Sequence, residues 1–150
     1  MSLLIERIDE SNYSEFEDMV FWRQNGVQRT PTSSSPSPRE TEELKNPNLF
    51  VFAAREEGVF VGWISLVYIP KLGPWKGRGH VYVDELWVEP GHRRKGLAVA
   101  LMAKADELCA ALDATGTRLY VNVNNPGAQS LYEKCGFTPN GDATFMEKRL

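Results

Sequence analysis

The feature that most restricts the fold is a strand, loop, helix and strand read in succession between His80 and Val123. HVYVDELWV is a β-branched and aromatic run, and GHRRKG is a cationic, glycine-containing connection. From there Leu97, Leu101, Ala105, Leu108 and Leu112 recur at helical spacing as far as Gly116, and Thr117 to Val123 read as a strand again. A helix inserted between two strands in this way makes a βαβ crossover, which pairs the strands in parallel and is right-handed. Ligands of open α/β sheets gather beyond the carboxyl ends of such strands, which directs attention to residues 84 to 98.

The remaining segments build outward from that unit. Leu3 to Ile8 read as a strand, and Ser11 opens an amphipathic helix carrying Tyr13, Phe16, Met19 and Val20, which fades near Gly26. RTPTSSSPSP, from Arg29 to Pro38, has too little apolar surface to order itself and reads as a mobile internal loop. Ser37, Pro38 and Glu40 supply the cap, first-turn proline and capping-box acid of a short helix ending near Lys45. LFVFAARE and VFVGWISLVYI, separated at Glu56-Glu57-Gly58, read as a hairpin. Asn125-Pro126 opens a helix that runs to about Cys135, and Ala143 to Leu150 read as a last strand after the Pro139-Asn140-Gly141 turn. The order β-α-α-β-β-β-α-β-α-β predicts one α/β domain over residues 1 to 150, a mixed and largely antiparallel sheet with helices on both faces.

Charge and cysteine usage narrow the function. Lys and Arg number 17 against 20 Asp and Glu, a formal charge of −3, which lacks the basic surplus of a dedicated nucleic-acid or anionic-membrane binder. The longest apolar run, Val59 to Ile69, falls short of the roughly 18 to 20 residues a membrane helix needs and reads as a buried strand. The N-terminal residues include acids where a secretory leader has a basic flank, so a cytoplasmic location is expected. Cys109 and Cys135 have neither disulfide-framework nor zinc-ligand spacing, and no metal is expected.

Arg93-Arg94-Lys95-Gly96-Leu97-Ala98 stands where the strand hands over to the long helix. Small residues there let backbone N–H groups approach an anion at the positive end of the helix dipole, and three cations add to the attraction. A solvated helix start explains the same residues more plainly. Neither GxxxxGK followed by Ser or Thr nor GxGxxG is present, so the familiar nucleotide loops are not indicated.

Arg93, Gly96 and Ala98 match the acetyl-coenzyme A motif of the GNAT superfamily of N-acetyltransferases: Arg or Gln, two residues, Gly, one residue, then Gly or Ala. Asn125-Pro126-Gly127-Ala128, Leu131-Tyr132 and Gly136-Phe137 match that family's second segment, NxxAxxLYxxxGF. The chain resembles this family from Val81 to Phe137, and its N-terminal half agrees in element order. The resemblance implies acetyl-CoA as cosubstrate, held by the loop from Arg93 through Arg94, Lys95, Gly96, Leu97 and Ala98. It further implies that the Leu86 N–H polarises the thioester carbonyl, that Trp87 and Val88 continue the strand along the pantetheine arm, and that Asn125 contacts the cofactor. A strand splayed from its neighbour would offer unpaired backbone groups to the arm's amides. Asn125 is equally suited to be an N-cap, and Trp87 to sheet packing.

Acylating an amine needs a neutral nucleophile, while a lysine-like ammonium has a pKa of about 10.4, so a base or water relay is useful. Asp84 and Glu85 are the nearest carboxylates. Strict alternation sets Asp84 on one face with Tyr82, Leu86 and Val88, and Glu85 on the other with Val81, Val83 and Trp87. That arrangement favours Asp84 as the base, with strand twist or a bulge able to bring Glu85 into use instead, and expects a central strand to bury both acids. Tyr132 resembles the family tyrosine that protonates the departing thiolate, and packing of a helix aromatic on the sheet is its simpler role. His80 reads as an ordinary exposed histidine, and Trp75 as a candidate for touching an acceptor. The expected function is direct acetyl transfer to a primary amine of a small molecule or peptide, with a homodimer left open. The competing reading is a non-catalytic acyl-CoA-binding or interaction module of the same fold.

Overall fold

Turn chemistry written into the chain sets the strand pairing. In the hairpin between β2 (Leu49–Glu56) and β3 (Val59–Ile69), both central residues are left-handed, Glu57 at φ 52° and Gly58 at φ 83°. That conformation follows the right-handed twist of the flanking strands and seats Glu56 opposite Val59. β1 (Leu3–Arg7) pairs antiparallel with β2, and β4 (His80–Val88) antiparallel with β3. β5 (Thr117–Arg118) joins β4 in parallel, giving one mixed sheet in the order β1-β2-β3-β4-β5. The computed structural model describes residues 3–73 and 79–150, and the chain divides into units of residues 1–120 and 121–150.

Helices cover both faces of this sheet. α1 (Tyr13–Asn25) ends where Gly26, at φ 74°, returns its N–H to Trp22 O at 2.8 Å. Its Met19 packs with Ile8, Ala53, Phe60 and Trp63, and Phe16 and Val20 close that layer. On the other face α3 (Leu97–Leu112) buries Leu97, Leu101, Met102, Ala105 and Leu108. Its Lys104 lies over the Phe52 ring, which alternates to the side opposite Val51 and Ala53. Ala54, Ile64, Leu66, Val81 and Val83, all buried, share the Phe52 side by the strand registers.

α2 (Pro38–Leu44) starts with the expected capping box between Ser37 and Glu40, and Glu40 also accepts the Tyr13 hydroxyl at 2.6 Å. The serine- and proline-rich segment before it is irregular, as its composition predicts, yet it has polar anchors. The Asp18 carboxylate accepts from Arg29 Nε at 2.9 Å, from the Thr32 N–H at 3.1 Å and from the Thr32 hydroxyl at 2.8 Å. Burial works to raise the Asp18 carboxyl, but these donors outweigh it and hold it below the usual range. Apolar burial is therefore not the only source of order in this segment.

Two expected strands differ in the structure. The fifth was expected from Thr117 to Val123, but pairing covers only Thr117 and Arg118, and Tyr120 and Val123 are exposed. The last, Ala143 to Leu150, is not a strand, and Phe145, Met146 and Leu150 are exposed. Residues 121–150 hold α4 (Pro126–Lys134) and no strand to receive a pairing partner. Among the described residues, no helix is long and apolar enough to cross a membrane. Leu101 is fully buried under the sheet, so Leu101→Ala should lower unfolding free energy by about 2 to 5 kcal/mol in urea titrations, through lost burial and the cavity left behind.

Candidate functional site

The register of β4 shifts inside its acidic stretch. Ser65 lies opposite Glu85 while Leu66 lies opposite Val83, which leaves Asp84 as the extra residue of a β-bulge. Alternation restarts after it. Leu86, opposite Ile64, and Val88, opposite Gly62, fall on the α3 side with Val81 and Val83, whereas Glu85 and Trp87 fall on the α1 side. The expected grouping of Asp84 with Leu86 on one face therefore fails, because simple period-two counting does not survive a bulge. Neither acid is buried: Asp84 and Glu85 are both exposed, and Glu85 Oε2 pairs with Arg23 Nη1 at 2.9 Å.

The same strand has an open edge. Val81 donates its N–H to Gly116 O at 2.9 Å on the β5 side, whereas Glu89 donates to Val61 O at 2.8 Å on the β3 side. Counting back from Glu89 by twos, the backbones of Trp87 and Glu85 also face β3, so those of Leu86 and Val88 face the opposite edge. Pairing with β5 ends at Tyr82, and among the described residues no other strand joins that edge. Arg93 Nε donates to the Val88 carbonyl at 2.9 Å, which leaves the Leu86 N–H and C=O and the Val88 N–H without a ladder partner.

Beyond β4 the chain makes a 3-10 turn, Pro90–His92, closed by the His92 N–H to Glu89 O at 2.9 Å. The His92 ring bonds the Glu89 carboxylate at 2.7 Å. Burial works to raise the Glu89 carboxyl, but His92, the Gly91 N–H and the Arg93 charge hold it below the usual range. Arg94 at φ 65° and Gly96 at φ 81° are left-handed, and Gly96 caps α3 with no side chain of its own. The first helical bond runs from the Ala100 N–H to Gly96 O, so the N–H groups of Leu97, Ala98 and Val99 point out of the helix end. No acid occupies that first turn. The three cations part company here. Arg93 is tied to Val88, Lys95 reaches the buried Glu56 at 3.1 Å, and Arg94 is exposed with no bond among the described residues.

In the unit of residues 121–150, Asn125 Oδ1 accepts the Ala128 N–H at 3.1 Å as the N-cap of α4. Half-buried Tyr132 sets its ring edge-on to Phe137, and burial, with the Cys135 charge second, pushes its hydroxyl pKa up. The N-cap role of Asn125 is thus realised within that unit, where Tyr132 packs on Phe137. His80 is buried instead of exposed, and burial, followed by the Arg118 and Lys71 charges, pushes its pKa down. Trp75 lies outside the described residues. Sequence reasoning passed over Arg23 and Glu56, because each meets its partner across more than thirty positions with no local pattern to mark the pair.

A splayed mixed sheet with an uncapped helix start beside its open edge defines an α/β protein with unpaired backbone N–H donors at a strand end. Residues 11–137 match the Acetyltransferase (GNAT) family, and the chain belongs to it. It is 35% identical over 114 residues to an uncharacterized N-acetyltransferase of Mycobacterium tuberculosis, covering 73% of this chain and 65% of that protein. The chain thus spans about two thirds of that relative's length. A mycothiol acetyltransferase of Kineococcus radiotolerans is 34% identical over 93 residues, 62% of this chain and 28% of its own. A solved aminoglycoside acetyltransferase in complex with a CoA-containing bisubstrate analogue superposes with a TM-score of 0.76 over the whole of both chains at 18% identity.

The depressed Glu89 carboxyl carries a stability prediction. Its contribution is fully present above the unfolded carboxylate pKa of about 4.3 and is lost as pH falls through the lower folded value. Glu89→Gln should therefore lower the urea midpoint at pH 7, with the gap to the parent closing as both are measured progressively below pH 4.

Proposed function

We propose that the protein is an acetyl-CoA-dependent N-acetyltransferase that passes the acetyl group directly to a primary amine. The observation that carries this reading is the open edge at Leu86 and Val88, adjoining the uncapped start of α3. Coenzyme A presents a pyrophosphate, two amides and a thioester, and this stretch offers a donor set of matching kind. The N–H groups of Leu97, Ala98 and Val99 suit the pyrophosphate, with Arg94 as the cation free to join them. The unpaired groups of Leu86 and Val88 suit the arm, as an added strand would. The family membership and the CoA complex of the solved acetyltransferase support the same cosubstrate.

In the proposed transfer the Leu86 N–H donates to the thioester oxygen, where negative charge develops. Asp84 takes up the proton the amine gives up as its nitrogen bonds the carbonyl carbon. The bulge removes the facial argument for Asp84 but supplies another, since it can accept a proton without breaking an ion pair, whereas Glu85 is held by Arg23. By the family resemblance, Tyr132, whose raised pKa keeps it protonated, is the candidate to protonate the sulfur that leaves with its electron pair. No metal enters the proposed steps. Relatives that include a mycothiol acetyltransferase and a putative ribosomal protein alanine N-acetyltransferase, with an aminoglycoside acetyltransferase as a structural neighbour, support an amine of a small molecule or peptide as acceptor.

A thiol-release assay with acetyl-CoA against a panel of primary amines tests the activity. Amine-dependent release is expected, and tight acetyl-CoA binding with no release from any amine would favour the binding module instead. Gly96→Glu, which sets bulk and negative charge at the uncapped helix start, should abolish acetyl-CoA binding in calorimetry; the new side chain meets no neighbour within 4 Å but is strained at φ 81°, so a thermal melt of the variant checks that the fold persists. Retained affinity would refute the loop assignment. Tyr132→Phe keeps the packing and removes the donor, so kcat should fall by about a hundredfold with little change in acetyl-CoA affinity.

A further inference from the structure

On its α1 side, Glu85 belongs to a larger arrangement. The Arg23 guanidinium that pairs with it also lies over the Trp63 ring, 5.1 Å from the centroid. Trp63 is buried, and Trp87 packs beside it with centroids 5.3 Å apart. Trp22, the residue before Arg23, sets its edge to Trp87 at 6.5 Å and to His92 at 6.3 Å. A cation held between a carboxylate and the face of a tryptophan is an arrangement by which proteins bind ammonium and guanidinium groups. Here a side chain from the last turn of α1 fills it.

We propose that Trp63 and Glu85 form a cation subsite for the acceptor, that Arg23 occupies it as an internal stand-in, and that the acceptor carries a positive charge besides the amine to be acetylated. The word acceptor rests on the acetyl-transfer reading; the cation subsite does not. Three observations carry the inference. The Arg23 and Glu85 side chains are 38% and 45% exposed, so their pair is screened by solvent and costs little to displace. Trp63 is held by the core, packed against Phe16 and Trp87, so the aromatic platform stays when Arg23 leaves. Asp84, adjacent in the chain, makes no ion pair among the described residues, so the surroundings remain negative even with Arg23 in place. An anionic acceptor gains less, because Arg23 already shares its charge with Glu85 and a second carboxylate would meet both acids.

The test is calorimetry on the full chain with CoA present, using spermidine as a polycation probe and succinate as a dianion probe. Arg23→Ala should tighten spermidine binding about threefold to fivefold by removing the internal competitor, the scale set by an exposed ion pair. Arg23→Lys should bind spermidine like the parent, and Glu85→Gln should weaken binding about tenfold. Unchanged or weaker spermidine binding in Arg23→Ala overturns the proposal, as does succinate binding that depends on Arg23. Thermal melts of the variants, whose changes sit on exposed side chains, verify folding. Spermidine binding with this pattern but no acetylation of any amine would refute the transferase reading and leave the cation subsite standing. Acetylation with spermidine binding blind to Arg23 and Glu85 would do the reverse.

Discussion

Everything distinctive about the candidate site follows from how β4 shares its two edges. Along β3 it pairs from end to end, while along β5 it pairs only through Val81 and Tyr82. Asp84 bulges just beyond that point, and a bulge bends its strand and strengthens the local twist. A parallel neighbour cannot follow a strand that turns in this way without losing its slanted, evenly spaced bonds. Hence the sheet opens at Leu86, and backbone groups that a longer β5 would have satisfied face outward. In a protein interior such groups would be costly. At the edge of a sheet they are donors and acceptors of fixed geometry.

The cationic loop looks uniform in sequence and is divided in structure. Arg93 closes the end of β4 by bonding the Val88 carbonyl, and Lys95 compensates Glu56, a carboxylate too buried to stand unpaired. Two of three charges therefore shape the loop. What they shape is a backbone turn with left-handed Arg94 and Gly96, which delivers the N–H groups of the first α3 turn free of competing acids or caps. Backbone donors fixed in this way lose little on binding an anion, whereas a flexible lysine must first give up its rotamer freedom.

How far the sequence disclosed this depended on the range of the interactions concerned. The hairpin at Glu57-Gly58, the capping box at Ser37 and Glu40, and the helix from Leu97 to Leu112 are local devices, and each forms where its residues predict. β5 was overextended because Tyr120, Val121 and Val123 carry strand propensity, while pairing is decided by the partner, and the partner turns away. The last strand failed for the same reason: residues 143–150 have the composition of a strand but no strand beside them in their unit. Facial assignment of Asp84 and Glu85 depended on a register that one bulge resets, and nothing in HVYVDELWV marks which residue will be extra. Arg23 was invisible as a site residue because its meaning comes from Glu85 and Trp63, both remote in sequence.

The bulge also separates two tasks that strict alternation would have mixed. After Asp84, odd-numbered Glu85 and Trp87 project toward α1, into the layer with Trp22, Arg23 and Trp63, while the side chains of Leu86 and Val88 turn toward α3. Had the register continued unbroken, Val83, Glu85 and Trp87 would share a face, and Asp84 would project with Leu86. A carboxylate would then stand on the apolar α3 layer, where burial penalises charge, beside Leu101 and Met102. The extra residue instead leaves one acid at the bend, exposed, and sends the other to a face where an arginine and an indole receive it. The same irregularity that opens the backbone edge thus keeps the α3 core apolar and concentrates charge and aromatic surface on the α1 side. Under the proposed function, recognition of the acceptor and presentation of the acyl donor draw on different sides of a single strand.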